Sequence, residues 1–378
     1  MPTDLDETLA TVRLVDHHVH GPLALEVDRD GFESLISESD RPQPPGLTAF
    51  DSQLGFAVRR HCAPLLGLPE RVAADDYWDA RATWSPGELA RLFLGAAGVG
   101  DWVVDTGFSA DDIWGVERME AELDGRSREI VRLESTLEDV ALTCEPEELE
   151  QRFREALDEA ARTAVGWKSI VAYRYGFDFE PTRPTSAEVK AAARAWMTTF
   201  ESGARPRVED PVLLRFLLFA ACDTGMPLQL HVGFGDPDLD MHRCNPALLT
   251  EWLRTVEPTG VRVMLLHCYP YHRMAGYLAH VFPHVYMDVG LGINYTGAAS
   301  SRVIAESMEL APFGKLLYSS DAWGPPELHY LGSVLWRRGT AAVLRQWVED
   351  GEWSASDACR VAEMVARDNA RRVYGLDA

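Results

Sequence analysis

Eight short apolar runs recur along the chain, and the segments between them are long enough to form helices. The runs are Val12–Asp16, Trp102–Asp105, Ile130–Leu133, Gly166–Val171, Pro227–Leu230, Val261–Leu266, Val285–Val289 and Lys315–Ser319. Continuous apolar runs are typical of parallel strands buried on both faces, and their alternation with helices indicates a (β/α)8 barrel. The alternative is an open doubly wound sheet, but the glycine-rich phosphate loop typical of that fold does not follow the first run. We therefore predict an α/β protein with a TIM-barrel fold.

The segment between the first two runs, approximately residues 22–100, is much longer than the others. A normal barrel repeat occupies roughly 25–30 residues. This segment contains three helix-like stretches, Leu54–Leu65, Ala74–Ala82 and Pro86–Ala97. We predict a single barrel domain over residues 1–378, with a helical insertion after its first strand.

The charge of the chain limits the partners it can have. Acidic residues outnumber lysines and arginines by 59 to 36, which gives a formal net charge of −23. A surface of this sign repels a phosphate backbone, and no basic stripe offsets it, so we expect no nucleic-acid partner. No stretch approaches the ~20 consecutive apolar residues that a membrane span needs. The first residues are acidic and lack the layout of a signal peptide, so we expect a cytoplasmic protein.

A pair of histidines at the end of the first run is the strongest chemical signal. His18 and His20 are two residues apart, so on a strand both imidazoles point to the same face. His17 alternates with this pair, so we expect its side chain to point outward. Two neutral imidazoles at the end of a barrel strand form half of a transition-metal site. Taken in isolation, such a pair could equally face solvent in a loop.

Three further candidate ligands stand at the ends of other runs. His231 follows the fifth run, His267 follows the sixth, and Asp321 follows the eighth. The carboxyl ends of parallel strands meet at one face of a barrel, where catalytic groups gather. This agreement between separate strands favours a metal site at the mouth of the barrel.

Two cations and an aromatic residue are additional candidates. Lys168 lies inside the fourth run, where a buried ammonium is either neutralised by a carboxylate such as Glu134 or used as a ligand. Arg174 follows that run and could pair with a substrate carboxylate or with one of the many acidic residues. Trp323 follows Asp321 and either walls a pocket or packs in the core.

Several segments together resemble a known family. They are Asp16–His20, Lys168–Arg174, Leu228–His231, Tyr269–Leu278, Val285–Asp288, Asp321 and Asn369–Gly375. The order of the histidines, the lysine and the aspartate is similar to that of the amidohydrolase superfamily of metal-dependent (β/α)8 hydrolases. Within it, the segments resemble the branch that includes the N-terminal domain of fungal FluG and plant nodulin-type proteins.

The resemblance implies one or two divalent metal ions, with zinc expected and manganese or iron as alternatives. By similarity, His18, His20 and Asp321 hold one ion. His231 and His267 complete that site or hold a second ion. In many superfamily members, a lysine at the position of Lys168 is carboxylated and bridges two ions. Whether that happens here is left open.

The resemblance also implies a reaction. Metal-activated water would hydrolyse a C–N bond in a small carboxylated substrate such as a γ-glutamyl amide. Asp321 and His267 would be catalytic, and Arg174, Tyr173 and Trp323 would contact the substrate. A lyase, decarboxylase or isomerase reaction and a non-catalytic signalling role are the alternatives. We expect a small-molecule substrate and a homo-oligomer.

Overall fold

Seven parallel strands form one sheet in which each strand pairs with the next along the chain. The computed structural model describes residues 4–108, 111–200 and 205–377. The strands are β1 (Leu14–Val19), β2 (Val99–Asp105), β3 (Arg126–Arg132), β4 (Gly166–Ser169), β5 (Leu228–His231), β6 (Val263–Leu266) and β7 (Val285–Met287). They overlap the first seven apolar runs, since strands covered on both faces tend to be apolar on both, but β2 begins earlier than its run, at Val99, and β3 begins in a charged stretch, at Arg126.

The eighth run closes the sheet into a barrel. Leu317 N–H donates to the carbonyl of Met287 in β7 (3.0 Å), and on the opposite edge His17 N–H of β1 donates to the carbonyl of Tyr318 (3.2 Å). Farther along, His20 N–H donates to the carbonyl of Ala322 (2.9 Å). This closing segment occupies the eighth strand position, so the predicted α/β TIM-barrel fold is confirmed.

Several strand boundaries differ from the prediction, and for two of them the structure shows a local reason. Val12 caps the C-terminus of the first helix, so β1 begins at Leu14 instead. The fourth run was expected to continue to Val171, but β4 ends at Ser169, whose hydroxyl accepts a hydrogen bond from Val171 N–H (3.1 Å) and starts a short helix there. Side-chain hydrogen bonds of this kind compete with extended backbone.

Helices surround the barrel and fill the segments between strands. The α-helices are α1 (Leu5–Thr11), α2 (Arg29–Leu35), α3 (Gln53–Ala57), α4 (Ala74–Arg81), α5 (Pro86–Ala96), α6 (Val116–Glu122), α7 (Leu133–Ala141), α8 (Leu149–Ala160), α9 (Val171–Arg174), α10 (Ser186–Met197), α11 (Pro211–Asp223), α12 (Thr250–Val256), α13 (His272–Val281), α14 (Gly290–Thr296), α15 (Ser300–Ser307), α16 (Pro326–Glu349), α17 (Ala355–Glu363) and α18 (Asn369–Tyr374). Short 3-10 helices cover Ala63–Leu66, Met241–Cys244, Pro246–Leu249, Glu257–Thr259, Gly297–Ala299 and Phe313–Lys315, and π-helical turns cover Val58–Cys62 and Met364–Asp368. Within the described residues, no helix combines the length and the apolar character needed to cross a membrane.

The long segment between β1 and β2 is helical at the three predicted places. The first stretch is α3 continued by a π-helical and a 3-10 turn to Leu66, and the other two are α4 and α5. Ser85 begins α5 with a reciprocal capping box to Glu88, which is a sequence signature of a helix start. The assignment of residues 22–100 as an insertion into a single domain stays a prediction.

The end of the barrel opposite the mouth is filled by side chains and covered by the last helix. Val15, Val103, Met264 and Leu317 belong to one apolar cluster with Val373 of α18. Because this end is packed, the polar strand ends at the other face are the place where a substrate can reach the barrel interior.

Candidate metal centre

Three strand-end side chains converge at the mouth of the barrel. His18 and His20 stand at the end of β1, and Asp321 lies in the closing segment beside them. Each offers a ligand atom, and these atoms all lie within 4.8 Å of one another. His18 Nε2 is 2.9 Å from Asp321 Oδ1. Asp321 has a positive φ of 49° and donates its backbone N–H to the carbonyl of His18 (3.1 Å), which fixes its carboxylate against β1.

An irregularity in β1 changes the direction of its histidines. The pairing of β1 with β2 shifts register between Asp16 and Val19, so simple alternation is broken there. The prediction that His17 points outward is therefore wrong. His17 is fully buried, and its ring lies 3.0 Å from both the Asp288 carboxylate and the Tyr374 hydroxyl.

The other two strand-end histidines lie against each other beside this group. The ring centroids of His231 and His267 are 4.2 Å apart, and His267 Nε2 is 3.6 Å from Asp321 Oδ2. His267 Nδ1 lies 2.9 Å from the carbonyl of Val232, so Nδ1 carries the proton and Nε2 keeps its lone pair.

Unpartnered nitrogen atoms show what these residues can hold. The Nε2 atoms of His231 and His267 and Nδ1 of His18 are buried and have no hydrogen-bond partner in the described part of the chain. His18 faces Asp321 with its other nitrogen, Nε2, so the unpaired atoms beside this carboxylate are the Nε2 atoms of His231 and His267. Buried polar atoms are nearly always paired, so these two atoms next to a carboxylate indicate a cationic partner. Imidazole nitrogen with one carboxylate is a donor set that suits zinc and similar divalent ions.

The charge states of these groups match that role. Burial lowers the pKa of His18 to about 3 and also lowers the pKa values of His20, His231 and His267, so these rings stay neutral and keep a lone pair. Burial by itself would raise the pKa of Asp321, but His267, His18 and Lys168 reverse this effect and hold the pKa well below its usual range. The group therefore presents neutral imidazoles and an ionised carboxylate.

Lys168 lies beside the centre, as its position in the fourth run predicted. Its Nζ is 3.1 Å from His18 Nε2, and burial lowers the pKa of its ammonium to about 8. The alternative partner, Glu134, is used elsewhere: its Oε1 accepts hydrogen bonds from Ser169 Oγ (2.6 Å) and Ile170 N–H (3.0 Å). Glu134 thus shapes the chain after β4.

Two residues that sequence reasoning missed support His20. Its Nδ1 lies 2.9 Å from the carbonyl of Asp105, the last residue of β2. The Asp105 carboxylate accepts two hydrogen bonds from Arg132 at the end of β3, at 2.6 and 3.2 Å. Asp105 ends the predicted second run, so the strand-end position that indicated the histidines also indicates Asp105; Arg132 ends β3 as the structure has it, one residue before the predicted end.

Asp288, directly after β7, is a third residue that was missed. Its Oδ1 accepts hydrogen bonds from His267 N–H (2.9 Å), Gly290 N–H (2.8 Å) and Ser319 Oγ (2.7 Å). His267 has a positive φ of 45°, a strained conformation that such bonds stabilise. Asp288 therefore fixes the backbone from which His267 reaches the centre.

Of the three residues expected to contact the substrate, two border the mouth of the barrel and the third pairs with an acidic residue. The Tyr173 ring packs on His231 with centroids 4.4 Å apart. Trp323 packs against Phe108 at 5.4 Å, and Phe108 lies 6.3 Å from His20, so both aromatic residues border the mouth. Arg174 instead forms an ion pair with Glu138 of α7 at 3.1 Å, the second of the two roles that its position allowed.

Comparison with known sequences gives a family match. The family model described as "Amidohydrolase" matches residues 146–376, which include Lys168, His231, His267 and Asp321. The protein fluG of Emericella nidulans is 28% identical over 99% of this chain. The chain spans about half the length of that relative, 47%.

Solved structures agree with this match. A metal-dependent hydrolase from Lactobacillus casei ATCC 334 superposes with a TM-score of 0.86 at 28% identity, covering 99% of this chain and 98% of that one. A uronate isomerase from Bacillus halodurans C-125 shares the fold at a TM-score of 0.64 and 15% identity, covering 98% of this chain and 95% of that one. The strand-end histidines, the aspartate and these matches lead to one conclusion: the chain belongs to the amidohydrolase family of metal-dependent enzymes.

Proposed function

We propose that this protein is a metal-dependent hydrolase that cleaves the C–N bond of a small carboxylated amide, such as a γ-glutamyl amide. The observation that carries the proposal is the convergence of His18, His20 and Asp321 within 4.8 Å, beside two histidines whose buried Nε2 atoms lack partners. The family match and the likeness to a metal-dependent hydrolase support an enzyme with such a centre.

His18, His20 and Asp321 are the proposed ligands of one divalent ion. His231 and His267 complete this site or hold a second ion, and Lys168 approaches from β4, either as an ammonium next to His18 or as a carboxylated bridge. Zinc fits the nitrogen-rich donor set, and manganese or iron could replace it. When bound, such an ion lowers the pKa of a water molecule and polarises a carbonyl group.

The chain's own residues supply the proton transfers in this proposal. Asp321 is ionised and partly accessible, with its side chain 11% exposed, so it can accept a proton from the attacking water and pass it to the leaving nitrogen. His267 Nε2 faces the same carboxylate at 3.6 Å and can hold the ion through its lone pair. Where it is not a ligand, Nε2 would first take up a proton and then stabilise the developing oxyanion as a hydrogen-bond donor.

Side chains around the mouth would position the substrate. Tyr173 and Trp323 would form two aromatic walls of the substrate site, because Tyr173 packs on His231 and Trp323 packs on Phe108. Arg174 has two guanidinium nitrogens, Nε and Nη1, that lack hydrogen-bond partners in the described residues. We keep it as a proposed contact for the substrate carboxylate.

An assay that separates reaction classes tests the proposal. Zinc-loaded protein is expected to release the amine from a γ-glutamyl amide, to stop when the metal is removed with a chelator, and to recover when the metal is restored. The same samples are tested for CO₂ release from carboxylated substrates and for isomerisation of uronates. If one of those reactions occurs without amine release, the enzyme is not an amide hydrolase. If none occurs in protein that holds its metal, the non-catalytic alternative is favoured.

A further inference from the structure

A cavity of about 480 Å³ lies between the chain that follows α2, the loop that follows β5, and α14. Its apolar and aromatic walls include Ile36, Leu47, Leu54, Phe234 and Tyr295. Its polar lining residues are Ser37, Glu38, Ser39, Gln43, Thr48, Asp51 and Ser52. A concave site that combines apolar walls with polar groups can hold and orient a small polar molecule.

Glu38 lies in this cavity together with Tyr295, whose ring packs on Phe234 with centroids 5.2 Å apart. Burial raises the pKa of Glu38 to about 7, and the negative charges of Asp321 and Asp236 add to this effect. The loop after β5 links the cavity to the candidate metal centre, because Phe234 lines the cavity and His231 ends β5 three residues earlier.

Tyr173 lies against the loop that follows β5. The Tyr173 hydroxyl lies so close to Gly235 that a Cβ at that residue would be 2.0 Å from it, and the same Cβ would be 3.2 Å from His231 Cε1. Gly235 directly follows Phe234, so the same loop lines the cavity at Phe234 and contacts Tyr173 and His231 at Gly235.

Glu38 has no cation beside it, unlike several buried carboxylates of the protein. Asp105 pairs with Arg132, Glu138 with Arg174, and Glu327 with Arg81. Within the described ranges, no lysine, arginine or histidine forms an ion pair with Glu38. A largely buried carboxylate without a cation is unfavourable, and a positively charged ligand would remove that cost.

We propose that Glu38 binds an ammonium group of the substrate, so that the substrate class is a small amide bearing a protonated amine beside its carboxylate. This inference rests on the proposed function, because it assigns a specificity residue to that reaction. In a γ-glutamyl amide the α-ammonium would lie at Glu38 while the scissile amide lies at the metal centre.

Two matched compounds that cannot be hydrolysed test the inference by binding. L-glutamate carries the ammonium group, and glutarate lacks it but keeps both carboxylates. We expect calorimetric titration of the zinc-loaded enzyme to show glutamate binding about 10- to 100-fold more tightly than glutarate, the range for a charge-assisted hydrogen bond. Glu38→Gln should bring the two dissociation constants within about threefold of each other, and Glu38→Asp should keep part of the preference.

The control is Asp40→Asn, which removes one negative charge from the same segment. Asp40 is exposed and lies next to Arg41, so this variant should keep the wild-type preference. Equal binding of the two compounds by the wild type, or a preference that survives in a folded Glu38→Gln variant, would overturn the inference.

Aniline release from γ-glutamyl anilide and glutaryl anilide separates the two proposals. Release from both compounds at equal rates would support the hydrolase function and reject the role of Glu38. A binding preference lost in Glu38→Gln, without aniline release from either compound, would support the ammonium site and reject amide hydrolysis.

Discussion

Replacing Asp321 with Asn is expected to lower kcat by about 10²- to 10⁴-fold, the usual contribution of a general acid–base group. The substituted amide is uncharged, so it cannot take the proton from water, and it is a poorer ligand for a divalent ion. The backbone bond from Asp321 N–H to His18 does not involve the side chain, so the barrel should remain folded. Turnover of the metal-loaded variant measures the loss of kcat, and its circular dichroism spectrum measures whether the barrel is folded.

A suitable control for this variant is Asp240→Asn. Asp240 is exposed and lies near the likewise exposed His242, in the loop after β5, so its loss should leave kcat unchanged. If the Asp321→Asn variant, loaded with metal and correctly folded, kept near-normal turnover, the proposed proton transfer would be wrong.

The largest expected effect on stability comes from Arg81→Ala. The Arg81 guanidinium donates to both carboxylate oxygens of Glu327, at 2.6 and 3.3 Å, and the Tyr77 hydroxyl donates to the same carboxylate at 3.0 Å. Glu327 is fully buried. Removing one partner leaves an uncompensated buried charge, which typically lowers the free energy of unfolding by about 3–5 kcal/mol. Urea denaturation measures this loss.

The exposed pair between Arg152 and Glu155 provides the matched control. These side chains are 56% and 50% exposed and their atoms are 3.4 Å apart, so Arg152→Ala should change the free energy of unfolding by less than about 1 kcal/mol. Equal losses in the two variants would show that the Arg81 pair is not a stabilising contact. Since this pair joins α4 to α16, a single unfolding transition would also support the prediction of one domain.

The sequence was most informative about the strands and the residues at their ends. Burial on both faces makes parallel strands apolar throughout, and the chain direction then places His18, His231 and His267 at one face of the barrel. These two rules require no knowledge of packing. They also apply to Asp105, which ends the second run and supports His20.

Contacts between distant segments could not be read from the sequence. The β1 irregularity that turns His17 inward depends on its register with β2, which alternation does not reveal. The sequence allowed Arg174 to pair with a substrate carboxylate or with an acidic residue of the chain, and only the structure shows its ion pair with Glu138. Glu38 belongs to no motif, and only the folded structure places it in one cavity with Phe234 and Tyr295.

The metal content of the purified protein tests the central claim most directly. After reconstitution with zinc and dialysis, inductively coupled plasma mass spectrometry should find at least one divalent ion per chain in the wild type. It should find almost none in a folded double variant, His18→Ala with His20→Ala. A wild-type protein that holds no ion after this treatment, or a double variant that holds as much as the wild type, would contradict the account.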